Sequence, residues 1–322
     1  MLKGPLPHSN AAAWWTVSLC CLLYIFSFVD RLVLSLLISD IGHELDVTDT
    51  QMGLLIGTSF SVVYALAGLP LAHLLVSRNR KHIMVGGVLL WGSMTILSGF
   101  ASSFTFLAIC RAGVALGEAV LTPGAISMFS DLFPSKRRTL PTAFYASMAT
   151  FMGIGGFIIS AGALDLARSL EAGLGLSAWR LTLIFAGMPS VLLGAVFAFT
   201  VREPTRGLYD PPAIAGEGEG LPEFFRHLVR NLRFYGPLLV ATALLTIFLF
   251  GAVAWTPALL TRAYGLTGSE AGYLFGALGG GRAGAGALLH EAVDERGRLP
   301  HRLVQPAVQL DPHLGPDRAG LG

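Results

Sequence analysis

The sequence predicts an all-α membrane protein, and three observations predict it. Hydrophobic residues make up 53% of the 322 residues and charged residues only 13%, about half the charged share of an ordinary soluble domain. Mean hydropathy is accordingly +0.64. The apolar residues gather into windows of span length, and Lys and Arg cluster in alternate segments between those windows.

A helix needs about 20 mostly apolar residues to cross about 30 Å of hydrocarbon. Seven windows qualify: 14–38, 52–76, 82–103, 104–127, 139–163, 179–201 and 236–260. An eighth starts near 269 and fails near 281. The first is too long for a signal-peptide core and lacks a small-residue cleavage site, so it is a retained helix. Arg78, Arg80 and Lys81 follow the second window, Lys136, Arg137 and Arg138 the fourth, and Arg202, Arg206, Arg226, Arg230 and Arg233 the sixth. Segment 39–51 instead carries Asp40, Glu44, Asp46 and Asp49 with no Lys or Arg; 101–105 is uncharged, and 164–178 is mixed. Basic loops stay in the cytoplasm, so the N-terminus is expected there. The net charge of +2 follows from this topology and is no nucleic-acid signature.

The windows divide the chain. Residues 1–201 form a six-helix transmembrane lobe. Residues 202–235 form a polar cytoplasmic linker with Pro211, Pro212 and "GEGEG", and with a short amphipathic helix at "EFFRHLVRNLRF" (223–234). Residues 236–281 hold a seventh helix and part of an eighth. Six helices, a long inside loop and a new block is the layout of a two-lobed transporter. From Gly276 onward there is no aromatic residue and no Ile, Met, Ser, Thr, Asn, Lys or Cys. Disordered tails usually keep Ser, Thr or Lys. The expectation is therefore a shifted reading frame near 277–283 of a GC-rich gene, with 282–322 disordered and the remaining C-terminal helices missing. A natural disordered tail is the alternative.

Ionisable residues inside the windows are few: Asp30, Arg31, Arg111 and Glu118. A charge at mid-span is costly unless paired or wet, and so marks a functional candidate. The four lie on the first and fourth helices, the spacing of equivalent positions in two three-helix repeats, between which transporters place their sites. At 1.5 Å per residue Asp30 lies about 24 Å from the inner end of its helix, and Arg111 about 10 Å below the outer surface. An Asp30–Arg111 pair is thus within reach. Glu118 lies two turns beyond Arg111 on the same face, an acid below a base, which suits a carboxylate that gains and loses a proton. The competing reading is a buried ion-pair network that only locks two helices together. Small residues in "AGVALGEA" (112–119) and "MGIGGFIISAG" (152–162) allow close helix approach. Cys20, Cys21 and Cys110 fall inside spans as small apolar filler. No HExxH, GxSxG, Walker loop or metal-spaced Cys/His cluster occurs, so neither an enzyme nor a cofactor or metal is expected.

"RAGVALGEA" (111–119), "SDLFPSKRR" (130–138), "AWRLTLIFAGMP" (178–189) and "VREPTRG" (201–207), on this layout, resemble the major facilitator superfamily. "FVDRLVLSLL", followed by "TQMGLLIGTSFSVVYALAGLPL", resembles its bacterial spinster-like branch, from about residue 14 to about 277. The resemblance implies a twelve-helix, two-lobe transporter of the inner (cytoplasmic) membrane, working by alternating access. The N-terminal lobe is complete here and the C-terminal lobe reduced. The resemblance also implies that Asp30, Arg111 and Glu118, with Arg31 beside them, handle proton and substrate. Relatives are associated with lysolipids, sphingoid phosphates and other amphipathic molecules. The implied partners are a small amphipathic solute, the proton and the bilayer, with no nucleic acid, and the full-length protein is expected to be a monomer. One departure bears on gating. In the cytoplasmic signature "AHLLVSRNRK" (72–81), Ala72 stands for a glycine, Val76 for an aspartate and Ser77 for a base, while Arg80 and Lys81 remain. Two other readings are an inactive half-transporter or scaffold, and a seven-helix receptor. The inside N-terminus and the lack of Lys in 236–260 argue against the receptor.

Overall fold

The computed structural model describes residues 9–209 and 221–280, and no strand occurs among them. The expected out-of-frame tail, 282–322, and linker residues 210–220 lie outside the described residues. Helix α1 (Asn10–Leu36) starts on the Ser9 side chain, which accepts the Ala12 N–H, and gives way at Leu37 to the short α2 (Ile38–Leu45). Helix α3 (Asp49–Gly53) opens with a capping box between Thr48 and Gln51. It runs through a π-helical turn, Leu54–Thr58, into α4 (Ser59–Ser77). Next come α5 (Arg80–Ser98), α6 (Phe104–Glu118), α7 (Leu121–Leu132), α8 (Thr139–Leu174) and α9 (Ala178–Thr200). Asn79 and Ser103 cap α5 and α6 through their side chains. After the linker come α10 (Leu221–Arg230), α11 (Leu232–Tyr264) and α12 (Gly268–Gly280).

By length and apolarity five described helices suffice to cross a membrane: α1, the α3–α4 run, the α6–α7 run, α9 and α11. Helix α8, bent by 56° between Gly153 and Gly155, makes six. The remaining expected span, the third window at 82–103, is α5, and it falls short because it opens on Arg80, Lys81 and His82 and carries Gly86, Gly87, Gly92, Ser93 and Thr95. What holds it is packing: α5 lies along both α6 and α9. The fifth helix also runs to Leu174, well past the expected 163, and the fourth to Leu132.

The packing follows the expected repeat. Helix α1 packs on α8 as α6 packs on α4, and α1 meets α9 as α6 meets α5. Glycine sets the closest approaches. A Cβ on Gly117 would lie 2.4 Å from the Gly87 carbonyl, and one on Gly187 2.7 Å from that of Gly92, so α5 is gripped from both sides. The glycines of α8 differ. Gly153 faces open space, whereas a Cβ on Gly156 would meet Leu32 at 2.6 Å. Helix α11 docks only through its second half, where Pro257 and Ala258 are buried, while 237–250 is exposed throughout. Helix α12 lies against α8, with Phe275 edge-on to Phe157 at 4.9 Å.

Candidate functional site

Successive positions on a helix are about 100° apart, so α1 turns the neighbours Asp30 and Arg31 to different sides. Asp30 is 1% exposed and faces α5, where the Thr95 hydroxyl donates to Oδ2 at 3.1 Å. Its Oδ1 has no partner. Arg111 of α6 is 4% exposed. Its Nη1 donates to the Asp30 backbone carbonyl at 3.3 Å, not to the carboxylate, and its Nε is unpartnered. The direct Asp30–Arg111 side-chain pair expected from the depths is therefore not formed. The Arg111 guanidinium stands instead over the Phe60 ring, 4.6 Å from its centroid. Asp30, Thr95, Ser98 and Arg111 border an enclosed cavity of about 10 Å³, room for about one water.

The direct ion pair belongs to the other two charges. Arg31 donates through Nη2 at 2.6 Å and Nε at 2.7 Å to Oε2 of Glu118, which also accepts from the Ser27 hydroxyl at 2.8 Å. The Glu118 side chain is fully buried and its Oε1 is free. Arg31 is 25% exposed and stands over the rings of Phe60 (5.0 Å), Tyr64 (5.3 Å) and Phe28 (5.6 Å). Tyr24 stacks on Tyr145 of α8 at 4.5 Å, and the Tyr145 hydroxyl meets Thr122 at 3.0 Å. All four predicted residues thus gather between α1, α4, α5 and α6. Arg31 is the partly open one, and Asp30 sits behind it on the small cavity that it shares with Thr95, Ser98 and Arg111. Sequence reasoning missed Ser27, Thr95, Phe60 and Tyr64. Ser27 had a signal, one turn before Arg31 on the same face, and Phe60 and Tyr64 form an i, i+4 aromatic pair. Two guanidiniums, two carboxylates and an aromatic wall can bind an anionic group, and each carboxylate has one oxygen free for a proton.

The degraded signature lies at the far end of α4 and splits in two. Arg80, 1% exposed, donates to Asp131 Oδ2 at 2.5 Å, Glu203 Oε1 at 2.7 Å, the Ser127 carbonyl at 2.9 Å and the Pro204 carbonyl at 3.1 Å. Lys81 contributes its backbone N–H, to Glu203 Oε2 at 2.7 Å. Val76 is 71% exposed, Ala72 is half-buried, and the Ser77 hydroxyl bonds only carbonyls of its own helix. No aspartate is present at 76. Arg206 instead reaches in from beyond α9 and donates to the carbonyls of Leu75 at 2.7 Å, Val76 and Arg78. Asp131 lies in "SDLFPSKRR" and Glu203 and Arg206 in "VREPTRG", motifs whose sequence alone does not reveal these contacts.

The opposite end of the bundle is tied by acids. Glu44 accepts from Ser177 at 2.6 Å, Trp179 at 2.5 Å and Arg180 at 2.9 Å. Burial raises its carboxyl, but these three bonds and the Arg180 charge outweigh it, and the net shift is below the ordinary 4.5. Asp49 receives a two-pronged bond from Arg262 of α11, at 2.6 and 2.7 Å. The lobe and α11 are therefore joined at this end and apart at the Arg80 end.

The profile of the family described as Major Facilitator Superfamily matches residues 20–304, running past residue 277. An "MFS-type efflux pump" of Mycolicibacterium smegmatis is 30% identical over 304 residues, 92% of this chain and 65% of that protein. "Protein spinster" of Drosophila melanogaster is 28% identical over 261 residues, 79% of this chain and 40% of that one. The chain thus spans less than two thirds of either relative. Among solved structures, a bacterial homologue of the human lysosomal transporter Spinster, described as inward-facing and unoccupied, superposes with a TM-score of 0.75. It is 29% identical, over 90% of this chain and 64% of that one.

Proposed function

The chain belongs to the major facilitator superfamily, and from that footing we propose a proton-coupled secondary transporter of an amphipathic organic solute or anion, working by alternating access. Members of this superfamily are membrane transporters, not enzymes. The observation that carries the finer reading is the Arg31–Glu118 ion pair, buried on the two repeat-equivalent helices beside a second carboxylate and a second arginine. Glu118 holds Arg31 through one oxygen and keeps the other free. A proton taken there neutralises the counter-charge, and Arg31 turns to an anionic group of the solute. Proton and anion are then linked through one guanidinium. Relatives named as a probable L-galactonate transporter and a probable galactarate/D-glucarate transporter support an anionic cargo, and the aromatic wall of Tyr24, Phe28, Phe60 and Tyr64 supports an apolar portion.

The same proposal places the N-terminus and the Arg80 cluster in the cytoplasm, on the positive-inside argument. The Asp49–Arg262 closure then leaves the site open to the inside. It also keeps the division into lobe 1–201, linker 202–235, partial second lobe 236–281 and tail 282–322. A half-transporter or scaffold is the second reading. One observation favours it: among the described residues α11 and α12 pack on α1 and α8, and the first half of α11 is uncovered. Uptake of fluorescent lysophosphatidate into proteoliposomes under an imposed pH gradient tests the first reading. Asp30→Asn and Glu118→Gln should each abolish the pH-driven part while inserting normally. Wild-type-like pH dependence in both would remove the residue assignment, and no flux from the wild-type chain would favour the second reading.

A further inference from the structure

We propose that Phe60 is a positioning residue of this site: one ring carries both guanidiniums and holds Arg111 free of any acid, ready for the anionic head of the solute. The inference rests on the reading of the chain as a transporter of an amphipathic anion. Arg111 is buried, yet among the described residues it has no acidic side-chain partner within bridging distance. The Asp30 carboxylate is bonded to Thr95 and that of Glu118 to Ser27 and Arg31. A buried cation left this way is costly. What Arg111 has instead is the Asp30 backbone carbonyl at 3.3 Å and the Phe60 face at 4.6 Å, with the Arg31 guanidinium over the same ring at 5.0 Å. Cations are drawn to the negative face of an aromatic ring, most strongly where water is excluded, and Phe60 is only 8% exposed.

The backbone explains how a residue on an otherwise exposed helix reaches two arginines. Phe60 follows the π-helical turn Leu54–Thr58 by two residues. Such a turn inserts one residue into the helical ladder and rotates every later position by about 100°. Phe60 and Tyr64 are thereby turned to Arg31, while Val62, Leu66 and Leu69 of the same helix stay exposed. π-helical turns recur at functional sites. An alkyl side chain of equal bulk would fill this space but would give neither guanidinium a face.

The full chain, purified in neutral detergent, is titrated with dodecyl phosphate as the anionic probe and dodecyl maltoside as its neutral counterpart. Phe60 is replaced by 3,5-difluoro- and then 3,4,5-trifluorophenylalanine, which drain the ring's negative face at nearly constant size. The expected result is a stepwise loss of dodecyl phosphate affinity, about tenfold in all, with recovery in Phe60→Trp and no change for the maltoside. A purely space-filling role would not follow fluorination. Unchanged phosphate affinity across the fluorinated series, while Arg111→Gln abolishes the preference for phosphate, overturns the role of Phe60 and leaves the transport reading standing. Equal preference for phosphate in wild type and Arg111→Gln overturns the role of Arg111 and the proposal with it, whereas no preference for phosphate in the wild type overturns the anion reading.

Discussion

Glu118 concentrates Arg31 and Ser27 on a single oxygen, and that asymmetry decides how its loss should behave. In Glu118→Gln the Arg31 charge stays in place without its counter-charge. Breaking a buried pair costs about 3–5 kcal/mol; discounted because a quarter of Arg31 is exposed, about 2 kcal/mol is expected. The double variant Arg31→Gln/Glu118→Gln should regain much of that, as measured by thermal melting in detergent. At Glu44 the expectation concerns acid. Its carboxyl is held below the ordinary 4.5 in the folded chain. The stability it contributes is present above that value and lost as pH falls below it through the folded value. Wild type should therefore lose melting temperature more steeply than Glu44→Gln below about pH 4.5; equal slopes would show that the Ser177–Trp179–Arg180 contacts carry no linkage. All four membrane charges were legible in the sequence, because a charge in an apolar window stands out. The pairing was not. Depth along an axis says which residues share a level, but a step of one residue turns a side chain by about 100°, and that separates Asp30 from Arg31.

Helices were legible where apolar length alone defines them, as in α1, α9 and α11. Helix α5 was legible as the window 82–103, but its reliance on close packing, which its polar and glycine content serves, was not. The π-helical turn and the bend of α8 were not legible, since neither alters composition. Glycine substitutions at this scale have opposite expected outcomes. Gly117→Ala drives a methyl against the Gly87 carbonyl and the Trp91 N–H, at 2.4 and 2.7 Å. Both obstacles are backbone, so α5 and α6 must part, at about 1–3 kcal/mol. Gly153→Ala meets nothing within 4 Å and should be neutral or stabilising by up to about 1 kcal/mol. Melting curves of the two variants side by side check this, and equal losses would mean that glycine contacts do not set the spacing.

In the whole molecule, the Asp49–Arg262 bond is the polar tie between α3 and α11 at the end where they meet. Cysteines at these two positions should cross-link with a short reagent and stop any flux, while flux undiminished by the cross-link would show that this end does not open during transport. The proposed frame shift has its own check, resequencing around codons 270–290 and about 600 bases beyond, room for four or five helices of about 20 residues with their loops. A one- or two-base correction that restores apolar spans would support the frame shift, and a sequence that stands as written would remove it, in keeping with the family match that runs to residue 304. The glycine grip on α5 has a consequence for motion. With Gly87, Gly92, Gly117 and Gly187 in backbone contact, α5, α6 and α9 form a stiff keel. Gly57 and Gly68 on the α3–α4 run and Gly153 on α8 border open space. The charged site therefore has one unyielding bank, which carries Thr95, Arg111 and Glu118, and one pliant bank, which carries Phe60 and Tyr64. A change of shape at this site is expected to fall on the aromatic side and on α1, while Thr95, Arg111 and Glu118 keep their spacing through it.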